Sequence, residues 1–132
     1  MRSGEGPPPG RPAAVDLAAA ILVFGGLFGF VQLALGAYVV TGSLPAKGPI
    51  VGVSVIAYAT SIVLGIAIRA GRAWLPALNF AVLVALLYLP AASRPLPLAL
   101  ALGHGLAAVL LAGRRRWFTD VATWRRAPDR PG

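Results

Sequence analysis

The chain contains four long apolar runs, none of which includes Asp, Glu, Lys or Arg. A helix needs about 20 such residues, within a range of about 17–25, to cross a hydrocarbon layer roughly 30 Å thick. Because lipid offers no hydrogen bonds, a segment inside it must satisfy its own backbone and is therefore helical. The runs cover residues 17–40, 50–68, 73–92 and 96–113 and predict an all-α, membrane-embedded four-helix bundle.

The connections between the runs are short and rich in Pro and Gly, as in "TGSLPAKGP", "RAGR" and "PAASRPLP". Short connections place consecutive helices antiparallel, so we expect residues 13–113 to form one antiparallel bundle. The first run exceeds the roughly 7–15 residues of a signal-peptide core, and we expect it to be retained. Asp16, just before this run, predicts an N-cap, and the Pro/Gly-rich residues 1–12 predict a disordered tail.

The composition favours lipid as the surrounding medium. Only 12% of the residues are charged, whereas a soluble domain has about 25%. The chain has no cysteine, which excludes disulfides and thiol redox chemistry. A net charge of +8 suits either a nucleic acid or an anionic membrane surface. Because the basic residues flank the apolar runs, we predict a bilayer with an anionic inner leaflet as the partner and no nucleic acid.

The basic residues also predict an orientation, because Lys and Arg concentrate on the cytoplasmic side. With the N-terminus inside, ten of them fall on the cytoplasmic side, and only Lys47 and Arg94 fall outside. Both termini are therefore predicted to be cytoplasmic. As interfacial aromatic residues, Tyr38 and Tyr88 are expected near the outer boundary, and Trp74 and Trp117 are expected near the inner one.

Small residues recur at helical spacing in each run. Helices in lipid associate by close approach at such residues, so the stripes predict helix contacts. These contacts build either the core of the bundle or an interface with a second copy. The predicted packing positions are Gly25, Gly29, Gly36, Gly65 and Gly103.

Strongly polar side chains at membrane depth mark candidate functional positions, and this chain has His104, Gln32, Tyr58, Ser61 and Asn79. Desolvation favours the neutral form of His104, the only histidine. Two interpretations stay open. His104 is either a structural residue bonded to Tyr58, Ser61 or Gln32, or a proton- or ligand-binding residue in a cavity. Asn79, opposite the alanine stripe of its run, bonds within a helix pair or faces an oligomer partner.

Several chemistries lack the residues that they need. No Asp or Glu lies inside any run, although ion-coupled pumps usually use a buried carboxylate. One histidine cannot ligate haem on both sides or complete a metal site, and no carboxylate is placed for a Ser–His–Asp triad. We therefore predict no enzymatic activity, catalytic residue, metal site or cofactor.

The stretch "RRRWFTDVATWRR" opens the basic C-terminal region, residues 114–132, and predicts a short amphipathic helix. Such a helix lies on the inner leaflet, where each basic residue contributes about 1 kcal/mol. The alternative is a stop-transfer cluster followed by an unstructured tail. The predicted anchoring residues are Arg114, Arg115, Arg116, Trp117, Trp124, Arg125 and Arg126.

With "RAGRAW" at 69–74 and "RRRWFTDVATWR" at 114–125, the chain resembles the uncharacterised small four-span integral membrane proteins of actinobacteria over about residues 17–126. The resemblance implies a bacterial cytoplasmic membrane and assigns no catalytic residues. In length and span number the chain is also similar to small multidrug-resistance transporters. That family has an essential carboxylate in its first span, where this chain has Gln32 and no acid.

The sequence thus predicts a small integral membrane protein that acts as a non-enzymatic accessory or structural component through protein or lipid contacts. The alternative is a small dimeric transporter or permease-like subunit with a polar site near the bilayer midplane. The sequence is compatible both with assembly into a homo-oligomer and with assembly into a larger membrane complex.

Overall fold

The computed structural model describes residues 6–41, 48–93 and 95–127. These residues form five α-helices and no strand. Each of the first four helices lies on one of the apolar runs, so the prediction of an all-helical fold is confirmed for the described residues. The helices are α1 (Ala13–Thr41), α2 (Gly48–Arg69), α3 (Trp74–Tyr88), α4 (Pro95–Ala112) and α5 (Arg115–Arg126).

Among the described residues, two helical segments, Ala13–Leu35 and Gly52–Arg69, are long and apolar enough to cross a membrane. A third span is added if α4 and α5, which are bent by 57° at their junction, count as one. The sequence predicted a longer third helix than the 15 residues of α3. The difference arises at Pro90, which lacks an N–H and cannot continue an α-helix, so the chain passes into a 3₁₀ turn at Leu89–Ala91.

Asp16 does not cap α1, contrary to the sequence-based expectation. The helix begins earlier, at Ala13, and the carbonyl oxygen of Pro12 accepts its first hydrogen bonds. Asp16 therefore lies in the first turn, where the helix dipole favours a negative charge. Its carboxylate contacts Arg11 at 2.7 Å and Arg69 at 3.2 Å, which joins the start of α1 to the end of α2.

The helices pack most extensively in the pairs α1–α2 and α3–α4, and α1 also contacts α4. Near the start of α1, Ala19 faces Gly65 of α2, and further along α1, Gly29 faces Tyr58. Positions that ascend in α1 thus meet positions that descend in α2, so these two helices run in opposite directions.

The buried core lies at the end of the molecule where α5 packs. Most of its members are alanines, because small side chains let the helix backbones come close. Phe118 and Val121 of α5 are buried against this end. The fully buried larger side chains are Val15, Leu22, Ile68 and Leu111.

The turn between α2 and α3 provides the surface on which α5 packs. Gly71 has a left-handed backbone with φ of +72° and is buried. A Cβ at this position would lie 2.7 Å from Cγ1 of Val121, so only glycine allows the approach. Ala73, which precedes α3, also has a left-handed backbone, with φ of 56°.

Candidate functional site

A cavity of about 70 Å³ lies among α1, α2, α3 and α4. Four of the five polar residues predicted to form a site line it, namely His104, Gln32, Tyr58 and Ser61. Asn79 does not, because its side chain is exposed on α3. The structure therefore brings together side chains that are 72 positions apart in the sequence, from Gln32 to His104.

His104 is only 4% exposed, and its ring orientation is set by its own helix. Nδ1 lies 2.9 Å from the carbonyl oxygen of Leu100. A carbonyl oxygen only accepts, so Nδ1 carries the hydrogen, and Nε2 of the neutral ring is an acceptor. No donor from the described part of the chain bonds Nε2. A Cβ on Gly25 would lie 3.3 Å from Cε1, so that glycine makes room for the ring.

Ser61 was considered from the sequence as a hydrogen-bond partner of His104, but it bonds a different residue. Its hydroxyl is 3% exposed and donates a 2.7 Å hydrogen bond to the carbonyl oxygen of Leu22. The bond joins α2 to α1. Ser61 therefore lines the cavity without serving as the hydrogen-bond partner of His104.

Two tyrosines lie on the same cavity. The ring of Tyr58 meets Phe30 edge-on at 5.6 Å between centroids, and Tyr88 of α3 is the second tyrosine of the lining. Tyr88, predicted from the sequence to lie near the outer boundary, also lines the cavity. The sequence did contain a signal for this, because Tyr88 lies on the same helical face as Ala77 and Ala81.

The closest approach of α1 to α2 occurs at three glycines. A Cβ on Gly29 would overlap the ring of Tyr58, and one on Gly65 would lie 2.6 Å from Cγ2 of Val23. These two positions were predicted from the sequence. Gly26 was missed, although a Cβ there would lie 2.7 Å from the backbone oxygen of Tyr58.

The other predicted packing glycines behave differently. Gly25 faces His104 rather than α2. At Gly103 the nearest atom to an added Cβ is 3.8 Å away, on Ile21, which is an ordinary contact. Gly36 and Tyr38 lie outside the residues whose side-chain surroundings the structure describes.

The cavity provides hydrogen-bonding groups in an apolar setting. Nε2 of His104 can accept a hydrogen bond or a proton, and Gln32 and the tyrosines can both donate and accept. A space of this size holds a few water molecules when polar partners are present. No carboxylate lines it, and no cluster of three or more metal-binding side chains occurs in the part of the chain that the structure describes.

The predicted C-terminal helix is present as α5, and its apolar face packs on protein at its centre. Trp117 and Trp124 donate to the carbonyl oxygens of Pro9 and Gly6, at 3.4 and 3.0 Å. Gly6 and Pro9, which belong to the tail of residues 1–12 that was expected to be disordered, therefore contact α5. Residues 1–5 of that tail lie outside the described residues. Phe118 is buried against the bundle, because the turn at Gly71 lets α5 come close.

The arginines expected to anchor α5 separate into two sets. Arg125 donates to the carbonyl oxygen of Ala70, just after α2, where a positive charge suits the helix dipole. The guanidinium carbon of Arg115 lies 5.9 Å from the ring centroid of Trp74. The second set consists of Arg114, Arg116 and Arg126, whose side chains are exposed.

Trp74 was predicted as an interfacial aromatic residue, and it also connects two helices. Its indole N–H donates a 2.7 Å hydrogen bond to the carbonyl oxygen of Leu111, near the end of α4. That carbonyl also accepts a 3.0 Å hydrogen bond from the backbone N–H of Arg114, so it serves two donors at the end of α4.

In comparisons with known proteins, no family model matches this chain, and no curated protein or solved structure shows significant similarity to it.

Proposed function

We propose that this chain is an integral membrane protein that crosses the bilayer four times as an antiparallel helix bundle. Large apolar side chains on the outside of the helices support the proposal, since large exposed apolar surface is typical of membrane or protein contact sites. Phe24, Leu87 and Val109, on three different helices, are 68%, 70% and 70% exposed. In a bilayer such side chains contact lipid tails.

The length of α3 is compatible with a span once its 3₁₀ turn is included. Its 15 residues extend about 22 Å at about 1.5 Å per residue. The three residues Leu89–Ala91 add about 6 Å at about 2.0 Å per residue. The total of about 28 Å is close to the roughly 30 Å of the hydrocarbon layer.

We also propose a bacterial cytoplasmic membrane, with both termini on the cytoplasmic side. The contacts among the basic segments support this orientation. Arg11 and Arg69 share Asp16, and Arg125 contacts Ala70, so the start of α1, the end of α2 and α5 lie at one end of the molecule. An end rich in arginine is expected to face the cytoplasm.

Within this membrane the protein acts, in our proposal, as a non-enzymatic accessory component that works through lateral contacts. A groove of about 550 Å³ between α1 and α4 carries the proposal. Phe24 and Phe28 line it with exposed apolar rings. Gly103 also lines it and is not used for close packing inside the chain, so a further transmembrane helix can approach there.

Crosslinking in native membranes tests the lateral contact. A photo-crosslinking residue in place of Phe28 is expected to capture one defined protein, either a second copy or a component of a larger complex. The same residue in place of Leu86, which is 60% exposed on α3, is the matched control. Gly103→Leu is expected to remove the adduct from Phe28. Equal capture at both positions, unchanged by Gly103→Leu, would contradict the proposal.

A small dimeric transporter or permease-like subunit is the second candidate, and the cavity at His104 is the observation that favours it. His104, whose Nε2 is bonded by no donor among the described residues, lines this cavity together with Gln32 and Tyr58. Proton-linked uptake into reconstituted vesicles, lost in His104→Leu, is the expected result for this function. Uptake that persists in this variant would exclude His104 from the path.

A further inference from the structure

A second concave surface lies where α5 meets the turn between α2 and α3. It is an open cleft of about 630 Å³, within the range of about 300–1,000 Å³ that is typical of ligand sites. Among the described residues, four arginines and no carboxylate line it. These arginines are Arg72, Arg115, Arg125 and Arg126.

The charge of the cleft is not balanced within the described residues. Both ion pairs within the described residues use Asp16, and Asp16 does not line the cleft. Arg72, Arg115 and Arg126 therefore have no carboxylate partner in the described ranges. Like charges gathered on one wall repel each other, so an anion bound among them lowers the free energy of the site.

The cleft is also amphiphilic. Besides the arginines, the cleft is lined by two residues with hydroxyl groups, Thr119 and Thr123. The rest of the lining includes the apolar side chains of Trp74, Leu75 and Phe118, of which Leu75 is 55% exposed at the start of α3. A ligand that fills the cleft therefore needs an anionic group and an apolar group next to it.

We propose that this cleft binds the phosphate headgroup of an anionic glycerophospholipid from the cytoplasmic leaflet, with an acyl chain along the exposed face of α3. This inference depends on the proposed membrane location. Arginine binds phosphate oxygens through paired hydrogen bonds, and basic pockets at the cytoplasmic boundary between helices bind lipid headgroups. A free phosphate ester shares the anion but leaves the apolar lining uncovered, which favours the lipid.

Tryptophan emission provides a direct readout, because all three tryptophans lie at this end of the molecule, at Trp74, Trp117 and Trp124. The full chain in a neutral detergent is titrated with short-chain phosphatidylglycerol, phosphatidylcholine or inorganic phosphate. We expect a saturable change with phosphatidylglycerol at a Kd about tenfold lower than with phosphatidylcholine. Equal affinity for the two lipids, or equally tight binding of inorganic phosphate, would overturn the proposal.

Matched variants test the position of the site. Arg72→Gln/Arg115→Gln removes two charges from the cleft, and Arg114→Gln/Arg116→Gln removes two from the same region outside its lining. We expect the first pair to weaken phosphatidylglycerol binding about tenfold and the second about threefold at most. An equal loss in both pairs would mean a diffuse electrostatic attraction and would overturn the proposal.

Two further measurements keep the result interpretable. If the cleft pair unfolds in detergent without lipid, Arg126→Gln, at an exposed cleft position, replaces it. Weaker binding in that variant supports the site, and unchanged binding overturns it.

Extraction tests the membrane location separately. A chain that resists extraction by alkaline carbonate but shows no preference for phosphatidylglycerol contradicts this inference alone, and a chain released by carbonate contradicts the proposed function.

Discussion

Ser61 donates a 2.7 Å hydrogen bond to the carbonyl oxygen of Leu22, and this bond connects α2 to α1 inside the bundle. The hydroxyl is buried, so the bond is made inside the bundle and not at its surface. The two helices are closest on either side of this bond, at Gly26 and Gly65. The pair α1–α2 thus combines close backbone approach with one directed polar contact.

Ser61→Ala is expected to destabilise the chain by about 0.5–1.5 kcal/mol, because it removes this hydrogen bond. Unfolding in detergent, followed by circular dichroism during a denaturant titration, measures the effect. Thr60→Ala is the control. Thr60 also loses a hydroxyl, but its 2.7 Å bond goes to Ile56 in its own helix. A loss as large in Thr60→Ala as in Ser61→Ala would contradict an interhelical role for Ser61.

Gly26→Ala is expected to force α1 away from α2, at a cost of about 1–3 kcal/mol. The added Cβ would lie 2.7 Å from the backbone oxygen of Tyr58, and backbone cannot move aside as a flexible side chain can. The comparison is with Gly52→Ala, where an added Cβ meets nothing within 4 Å. Thermal unfolding in detergent measures both variants. If Gly26→Ala is as stable as Gly52→Ala, the described packing of α1 on α2 is wrong.

Gly71→Ala is expected to release α5 from the bundle. Its left-handed backbone costs a non-glycine residue about 1–2 kcal/mol, and the new Cβ overlaps Val121. Faster proteolysis within residues 115–126 and a red shift of tryptophan emission are the expected signs. Gly113→Ala, at the junction of α4 and α5, adds a Cβ with contacts no closer than 3.8 Å and is expected to behave like the unmodified chain. The same protection of α5 in both variants would contradict its docking on the turn.

His104→Leu is expected to change the free energy of unfolding by less than about 1 kcal/mol. The carbonyl of Leu100 keeps its helical hydrogen bond, and the unbonded acceptor Nε2 disappears. Denaturant titration in detergent measures the difference, with Gly105→Ala, at an open position, as the control. A destabilisation above about 2 kcal/mol would show that Nε2 has a structural partner in the cavity.

The four apolar runs were sufficient to predict the helices, because lipid-compatible sequence of this length has few other structures available. The stripes also predicted that Gly29 and Gly65 approach a neighbouring helix. They did not distinguish Gly25 from Gly26. These adjacent positions are separated by about 100° around the helix, so the rotation of α1 decides which one meets α2.

The remaining differences arise from contacts that are remote in sequence. The packing of α5 on Gly71 joins segments about 50 positions apart, and no local pattern contains that information. The expected cap at Asp16 failed because Pro12 already starts the helix and Arg69, far along the chain, uses the carboxylate. The third helix is shorter than its apolar run because Pro90 breaks it, which the sequence did indicate.

The most direct test of the central claim is the side of the membrane on which each connection lies. The chain has no cysteine, so single-cysteine variants give no background labelling. With a membrane-impermeant maleimide on intact spheroplasts, we expect Ser43→Cys and Ser93→Cys to be labelled. Ala70→Cys and Gly132→Cys are expected to react only after permeabilisation. Labelling of Gly132→Cys from outside, or protection of Ser93→Cys together with Ala70→Cys, would contradict four crossings with both termini in the cytoplasm.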